Sequence, residues 1–315
     1  MTLTELKYIV AVAREKHFGR AAEACFVAQP TLSVAIKKLE DELGITLFER
    51  GGSEISTTPL GAQIVVQAER VLEQTAAIKE LAKQNKDPLV GPFRLGIIYT
   101  IAPYLLPPLV KTLIERVPQM PLVLQENFTV KLVELLRQGE LDAIVVALPF
   151  NDQGLVVQPV YDEPFVVAVP EHHEWAKRDG INSKELKSET MLLLGNGHCF
   201  RDQVLEVCPD VARFSTSSDG IARTFEGSSL ETIRHMVASG IGITVLPRGS
   251  VQDMHPTEGM LRYLPFTDSA PSRRVVIAWR KSFTRGAAIE AVRQALLSCD
   301  LHGVTMLPDE PSSES

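Results

Sequence analysis

Cysteine is scarce. The 315 residues hold only four, Cys25, Cys199, Cys208 and Cys299, too few for a disulfide scaffold. In a reducing compartment they stay thiols, and any disulfide between them is a regulated event. Basic charge is not in excess either: 32 Lys plus Arg stand against 39 Asp plus Glu, a formal net charge of −7. A nucleic-acid partner would therefore have to be met by a local surface. Long apolar runs are missing too, since none approaches the ~18 residues of a membrane span. The richest, 141–150, is broken by Asp142 and Pro149. The first ten residues lack the basic region and apolar run of a signal peptide, which predicts a cytoplasmic protein with no membrane partner. Nor is there a metal or nucleotide motif. His172-His173-Glu174 puts adjacent histidines on a loop, where they point in different directions, and no matching cluster occurs elsewhere. Gly240-Ile241-Gly242-Ile243 lacks a third glycine in register and reads as a helix-to-strand turn. Neither a metal nor a cofactor is expected.

The residues present, 45% hydrophobic and 23% charged, exclude collagen-like, low-complexity and disordered chains, and the length suits about two domains. Residues 1–58 read as short helices followed by a hairpin. Leu3, Leu6, Ile9, Val10 and Ala13 form one apolar stripe at helical spacing. Ala21, Ala22 and Ala24 allow a close helix neighbour, and after a short turn Pro30 suits the first turn of another helix. Leu32, Ile36, Leu39 and Leu43 mark that helix's buried face. Two helices joined so tightly are a helix-turn-helix, the second placed to enter a major groove, with an ordinary helical hairpin as the alternative.

Local charge favours the first reading. Between positions 16 and 38, Lys16, Arg20, Lys37 and Lys38 face Glu23 alone, the footprint that phosphate binding requires. Thr31, Ser33, Val34, Lys37 and Lys38 lie off the apolar face, and Gln29 reaches a base edge or a phosphate at the helix entry beside Pro30. Residues 45–56, with a Gly51-Gly52-Ser53 turn, form a wing with Arg50 at its edge. Thr57-Thr58-Pro59 then starts a helix running to about 85. Its Ile64, Ala68, Val71, Thr75, Ile78 and Ala82 make a thin heptad seam, read as a dimerising coiled coil, with packing on its own domain as the alternative. From residue 93 onward, strand-length runs at 94–98, 122–125, 143–148, 165–169, 191–194, 243–246 and 275–279 alternate with helical segments at 104–116, 130–138, 230–238 and 287–298. This predicts an α/β domain of parallel strands covered on both faces. Ligands in such folds gather at the carboxyl ends of strands.

The winged helix-turn-helix with Ala21-Ala22, Gln29-Pro30-Thr31-Leu32-Ser33, Lys38-Leu39-Glu40, Leu43-Gly44 and Leu47-Phe48-Glu49-Arg50, followed by a long helix, resembles the LysR-type transcriptional regulators over the whole chain. The resemblance implies an α/β protein with a winged helix-turn-helix at 1–58 and a linker and dimerisation helix at 59–87. A two-lobed effector domain like the periplasmic binding proteins follows at 88–306, with lobe I about 88–161 and 268–306 and lobe II about 162–267. A disordered tail covers 307–315. It also implies promoter DNA and RNA polymerase as partners, a homotetramer built from two dimers, and a regulator that is not an enzyme. Gln29, Pro30, Thr31, Ser33, Lys37 and Arg50 are the DNA-binding candidates.

Within that family, Gly197-His198-Cys199-Phe200-Arg201-Asp202-Gln203, with Cys208 nine positions after Cys199, resembles the hydrogen-peroxide sensors. So do Thr100 in Tyr99-Thr100-Ile101-Ala102-Pro103 and Thr129 in Glu126-Asn127-Phe128-Thr129. The resemblance implies an activator of antioxidant genes. In it Cys199 reacts with peroxide, Cys208 resolves the sulfenic acid into a reversible disulfide, and Thr100, Thr129, Gly197, His198 and Asp202 orient the peroxide and its water. The residues permit this chemistry: the Gly195-Asn196-Gly197 turn puts Cys199 at a helix entrance beside His198 and near Arg201, surroundings that favour a reactive thiolate. By spacing alone the cysteine pair matches no standard motif, and buried, inert thiols are the alternative. Two other readings stay open: a regulator of the same family answering to an organic effector between the lobes, and a thiol peroxidase.

Overall fold

The computed structural model describes residues 1–49, 55–81, 87–207, 224–227, 229–251, 259–268 and 271–307. The chain divides into two units, Met1–Asn85 and Lys86–Ser315.

In the first unit, helix α1 (Leu3–Glu15) opens with a capping box between Thr2 and Glu5. It buries Leu6, Ile9 and Val12 with Tyr8 and Ala11, whereas Leu3, expected on the stripe, is exposed at the free end of the helix. Helix α2 (Phe18–Ala24) is capped by His17, whose Nδ1 accepts from the amides of Gly19 and Arg20. Helix α3 (Gln29–Leu43) carries Pro30 in its first turn and ends at Gly44, which adopts φ +68°. Leu32, Ile36 and Leu39 are fully buried. Leu43 is exposed, contrary to expectation: the core beneath the last turn is completed by Leu47 and Phe48, whose amides donate to the Glu40 carboxylate. Strands β1 (Phe48–Glu49) and β2 (Ser56–Thr57) pair antiparallel as the wing. Its turn and Arg50 lie outside the described residues.

Helix α4 (Pro59–Leu81) starts where Thr58 Oγ1 accepts from the Gly61 amide. A Cβ at Gly61 would sit 2.3 Å from the Leu47 carbonyl oxygen, so only glycine lets the helix lie this close to the wing. The expected seam divides. Ala68 is buried in the core that α1 helps to form, with Ile64 and Leu72 packed at its edge, and Val65 is buried as well; Ala82 lies outside the described residues. Val71 and Ile78 are exposed, 42% and 65%. The first half of the stripe therefore serves the helix's own unit, and only the second half is left for another surface.

The second unit has two apolar cores. One is built from strands β3 (Phe93–Ile98), β5 (Ala143–Ala147) and β11 (Ser272–Arg280) with helices α5 (Ala102–Arg116) and α6 (Thr129–Arg137) and the helix Gly286–Leu297. The other contains the later part of β6 (Leu155–Pro170), β7 (Met191–Leu194), β9 (Thr244–Pro247), β10 (Leu261–Pro265), helix α7 (Cys199–Val207) and helix α8 (Leu230–Ala238). Strand β6 runs from the first core into the second. Its early residues pair with β11 and its later residues with β9 and β10.

The sheet is therefore mixed, which corrects the expected parallel one. Strand β3 is parallel to β4 (Leu122–Asn127) and β5, and β7 is parallel to β8 (Thr224–Gly227), but every pairing of β6 and β11 is antiparallel. The cause is topological, since β6 and β11 carry the chain between the cores in opposite directions. Edge strand β4 leaves Val123 and Leu124 exposed, so it is not covered on both faces. At the C-terminal end, β12 (Thr305–Met306) pairs with β6, and the Leu307 amide donates to the Val160 carbonyl, so Leu307 is anchored where a tail was expected to begin. No helix among the described residues is long and apolar enough to cross a membrane.

Candidate functional site: a small cavity at three strand ends

Parallel strands place the residues that follow their carboxyl ends on one side of a sheet. Here β3 ends at Ile98 just before Thr100, β4 ends at Asn127 just before Thr129, and β7 ends at Leu194 before the turn into α7. The three ends converge on a cavity of about 10 Å³ lined by Ile98, Tyr99, Thr100, Asn127, Phe128, Thr129, Gly197, His198 and Cys199. That is roughly the room of one water molecule. Five of the residues expected at a peroxide site, Thr100, Thr129, Gly197, His198 and Cys199, are thus brought together from segments nearly a hundred positions apart.

Local rules explain each position. Gly197 has φ +97°, a conformation that glycine takes without strain, and this bends the chain out of β7 so that Cys199 becomes the first residue of α7. A helix start carries unpaired amide donors and positive potential. Arg201 fixes the turn by donating to the Leu194 carbonyl at 2.8 Å. Thr100 and Thr129 are both buried, and Thr129 Oγ1 has no hydrogen-bond partner. A buried hydroxyl without a partner is costly unless something polar arrives to meet it.

Arg273, from β11, completes the site and escaped the sequence reading. Its Nη1 donates to Thr100 Oγ1 at 2.7 Å, its Nη2 to the Thr100 carbonyl at 3.1 Å, and its Nε to Glu163 Oε2 at 2.7 Å. Glu163 Oε1 in turn accepts from the Gly249 amide. Burial alone would lower the Arg273 guanidinium's pKa, but Glu163, Tyr161 and Cys199 outweigh it and the net shift is upward. A buried cation thus stands in electrostatic reach of Cys199. Because Thr100 Oγ1 accepts from Arg273, its own proton is left to donate elsewhere. A signal for Arg273 existed: in 272–275 burial alternates, with Arg273 and Val275 inward and Arg274 outward at 48% exposure, as period-two patterning dictates.

One expected member, Asp202, is not among the residues that line the cavity. Asp202 is exposed on α7, because the buried face of that helix is Phe200, Gln203 and Val204 and Asp202 falls beside it. Cys208 lies outside the described residues. At the other two described cysteines burial disfavours the thiolate: it pushes the Cys25 thiol up and the Cys299 thiol up to about 11. His173 Nε2 lies 3.5 Å from Glu189, and no metal-binding cluster occurs among the described residues.

In the first unit, Gln29, Pro30, Thr31 and Lys37 are exposed along α3 and Ser33 is half-buried. One helix face thus offers an amide, hydroxyls and a cation, with the exposed Lys38 beside them.

The first unit is a winged helix-turn-helix and the second an α/β unit with a small cavity at its strand ends. Residues 3–62 match the bacterial regulatory helix-turn-helix family of lysR type, and residues 86–298 match the LysR substrate binding domain. The chain belongs to the LysR family of transcriptional regulators. Within that family it is similar to OxyR: it is 37% identical over 296 residues to the DNA-binding transcriptional dual regulator OxyR of Escherichia coli K12, covering 94% of this chain and 95% of that one. It is 38% identical over 280 residues to the hydrogen peroxide-inducible genes activator of Pectobacterium carotovorum, covering 89% and 90%. Among solved structures it resembles a full-length OxyR variant from Pseudomonas aeruginosa, with 50% identity, a TM-score of 0.67 and 99% coverage of both chains.

Proposed function

We propose that this protein is a cytoplasmic, hydrogen-peroxide-sensing LysR-type transcriptional regulator that controls antioxidant genes through a reversible Cys199–Cys208 disulfide. The observation that carries the reading is the convergence of Thr100, Thr129, His198 and Cys199 on one small cavity, with a hydroxyl left unpartnered inside it. The names of its relatives point the same way, and one similar structure, an OxyR variant from Corynebacterium glutamicum at 32% identity and TM-score 0.60, is described as H2O2-bound.

The thiolate of Cys199 attacks one peroxide oxygen, the O–O bond breaks, and hydroxide leaves and takes up a proton to become water. Sulfur is oxidised by two electrons and peroxide is reduced by two, leaving a sulfenic acid. The Cys208 thiol then displaces water from that sulfur to close the disulfide. Helix α7 resists this step: Val207, the residue before Cys208, stands ~12 Å along the helix from Cys199, and a disulfide needs Cα atoms within ~7 Å. The helix has to unwind, so oxidation is coupled to a change of shape, and a covalent bond then holds the new shape. Gln203 resists it as well, because its Nε2 donates to the Leu148 carbonyl in the other core. Helix α3 supplies promoter contacts through Gln29, Thr31, Ser33 and Lys37, Pro30 shapes its entry, and Arg50 serves on the wing. The exposed half of α4 serves a homodimer, and RNA polymerase is the downstream partner.

The test is Cys199→Ser in the full chain, read by transcription from a target promoter before and after peroxide. Loss of induction with promoter binding retained is the expected result. Undiminished induction in the variant would point to an organic effector instead.

A further inference from the structure

We infer that Phe128, with Tyr99 and His198, forms an aromatic roof that restricts the Cys199 cavity to hydrogen peroxide and excludes alkyl hydroperoxides. The inference rests on the peroxide-sensor reading above and adds to it the residue that sets the selectivity among peroxides.

The three rings meet edge to face. The Phe128 and His198 centroids are 4.8 Å apart at 73°, Tyr99 and Phe128 are 5.3 Å apart at 76°, and Tyr99 and His198 are 5.9 Å apart at 60°. All three line the cavity together with Cys199. His198 is buried, whereas Phe128 and Tyr99 are 36% and 38% exposed, so the rings reach from the cavity to solvent. Phe128 is seated on the turn before Cys199: a Cβ added to Gly197 would lie 3.4 Å from its ring.

A second observation shows that Phe128 is not there for its helix. It is the N-cap of α6 and makes no side-chain capping hydrogen bond, at a position where Ser, Thr, Asp or Asn would satisfy an amide. Its ring is also partly in water. A local choice that runs against both capping and burial marks a residue kept for a site, and the site this ring covers is the cavity.

The cavity's size states the consequence. About 10 Å³ admits one water. Hydrogen peroxide needs a small outward movement of the rings to place its second oxygen, near the unpartnered Thr129 Oγ1. In an alkyl hydroperoxide the terminal hydroxyl oxygen goes to sulfur, the O–O bond breaks, and the alkoxide leaves and is protonated to an alcohol. Whichever way that molecule lies, its carbon substituent has to fit beneath the same rings. A pocket wall fitted to a small molecule discriminates against one carrying an extra carbon group by about tenfold to a hundredfold.

The test measures rates of sulfenic acid formation on Cys199 with hydrogen peroxide and with cumene hydroperoxide, in full-length Cys208→Ser protein and in the same protein carrying Phe128→Ala or Phe128→Asn. The Asn variant supplies the missing cap and so protects the fold. We expect a strong preference for hydrogen peroxide that falls by about tenfold or more in both variants, because the cumene hydroperoxide rate rises. A normal hydrogen peroxide rate with an unchanged ratio, or equal rates with both oxidants before substitution, overturns the roof alone. No reaction of Cys199 with hydrogen peroxide in the parent overturns the sensor reading, and the roof with it.

Discussion

The proposed DNA-reading face and the proposed peroxide cavity would solve recognition in opposite ways. On α3 the candidate residues Gln29, Pro30, Thr31, Ser33 and Lys37 sit within nine consecutive positions and are mostly exposed. In the proposed role each would act nearly alone on a partner whose phosphates are spread along a line. The cavity draws its wall from three segments at 98–100, 127–129 and 197–199, and Arg273 supports it from a fourth. There the groups lean on one another: Arg273 holds Thr100, Glu163 holds Arg273, and the Phe128 ring lies against the turn before Cys199. A face of the first kind should lose function in small, separable steps, whereas a site of the second kind should fail as a unit.

The largest effect that would sharpen this contrast is at Arg273. Arg273→Ala leaves Glu163 buried without its cation, which costs about 3–5 kcal/mol. Urea unfolding of the full chain should show that loss, and a loss under 1 kcal/mol would break the claim of interdependence. Next is Gly197→Ala. With φ +97° and a phenyl ring at 3.4 Å, strain of about 1–3 kcal/mol is expected, read as a lower thermal midpoint together with slower oxidation of Cys199. Thr129→Val removes the one hydroxyl that faces the cavity unpartnered. Loss of one hydrogen bond to bound peroxide, about 1 kcal/mol, corresponds to a several-fold slower oxidation with promoter affinity of the reduced protein unchanged.

On the other side, Lys37→Ala should lower the slope of log affinity against log salt by about one, without altering the oxidation rate. The smallest effect is expected at Arg274, whose guanidinium holds the Asp162 carboxyl below its ordinary value. The folded value is depressed, so this pair's stabilisation is present above the unfolded aspartate value and is lost as pH falls through the lowered one. Because Asp162 and Arg274 are 32% and 48% exposed, Arg274→Met should cost under about 1 kcal/mol near neutrality, and nothing in strong acid.

What the sequence disclosed follows the same divide. The helix-turn-helix was legible because a 3.6-residue period, Pro30 and a run of cations are local signals, and the turn before Cys199 was legible because its glycines are. The sheet was less so. A run such as 165–169 shows apolarity but not that it is the far half of a sixteen-residue strand, since strand direction is set by pairings more than a hundred positions away. The stripe on α4 divides between its own unit and an exposed half, because periodicity names a buried face without naming what buries it. Asp202 was carried by its motif and not by the face of α7 on which it stands. Arg273 was missed because an arginine opening a strand reads as solvent-facing until its alternation with Arg274 is followed.

The central claim is that Cys199 is the peroxide-reactive thiol and Cys208 its partner. Peptide mass mapping of the reduced full-length protein before and after one equivalent of hydrogen peroxide, with Cys208→Ser treated alongside, tests it most directly. The account predicts a Cys199–Cys208 disulfide in the parent and a sulfenic acid confined to Cys199 in the variant. Thiols left intact, or oxidised without preference among Cys25, Cys199, Cys208 and Cys299 only at large excess, would contradict it.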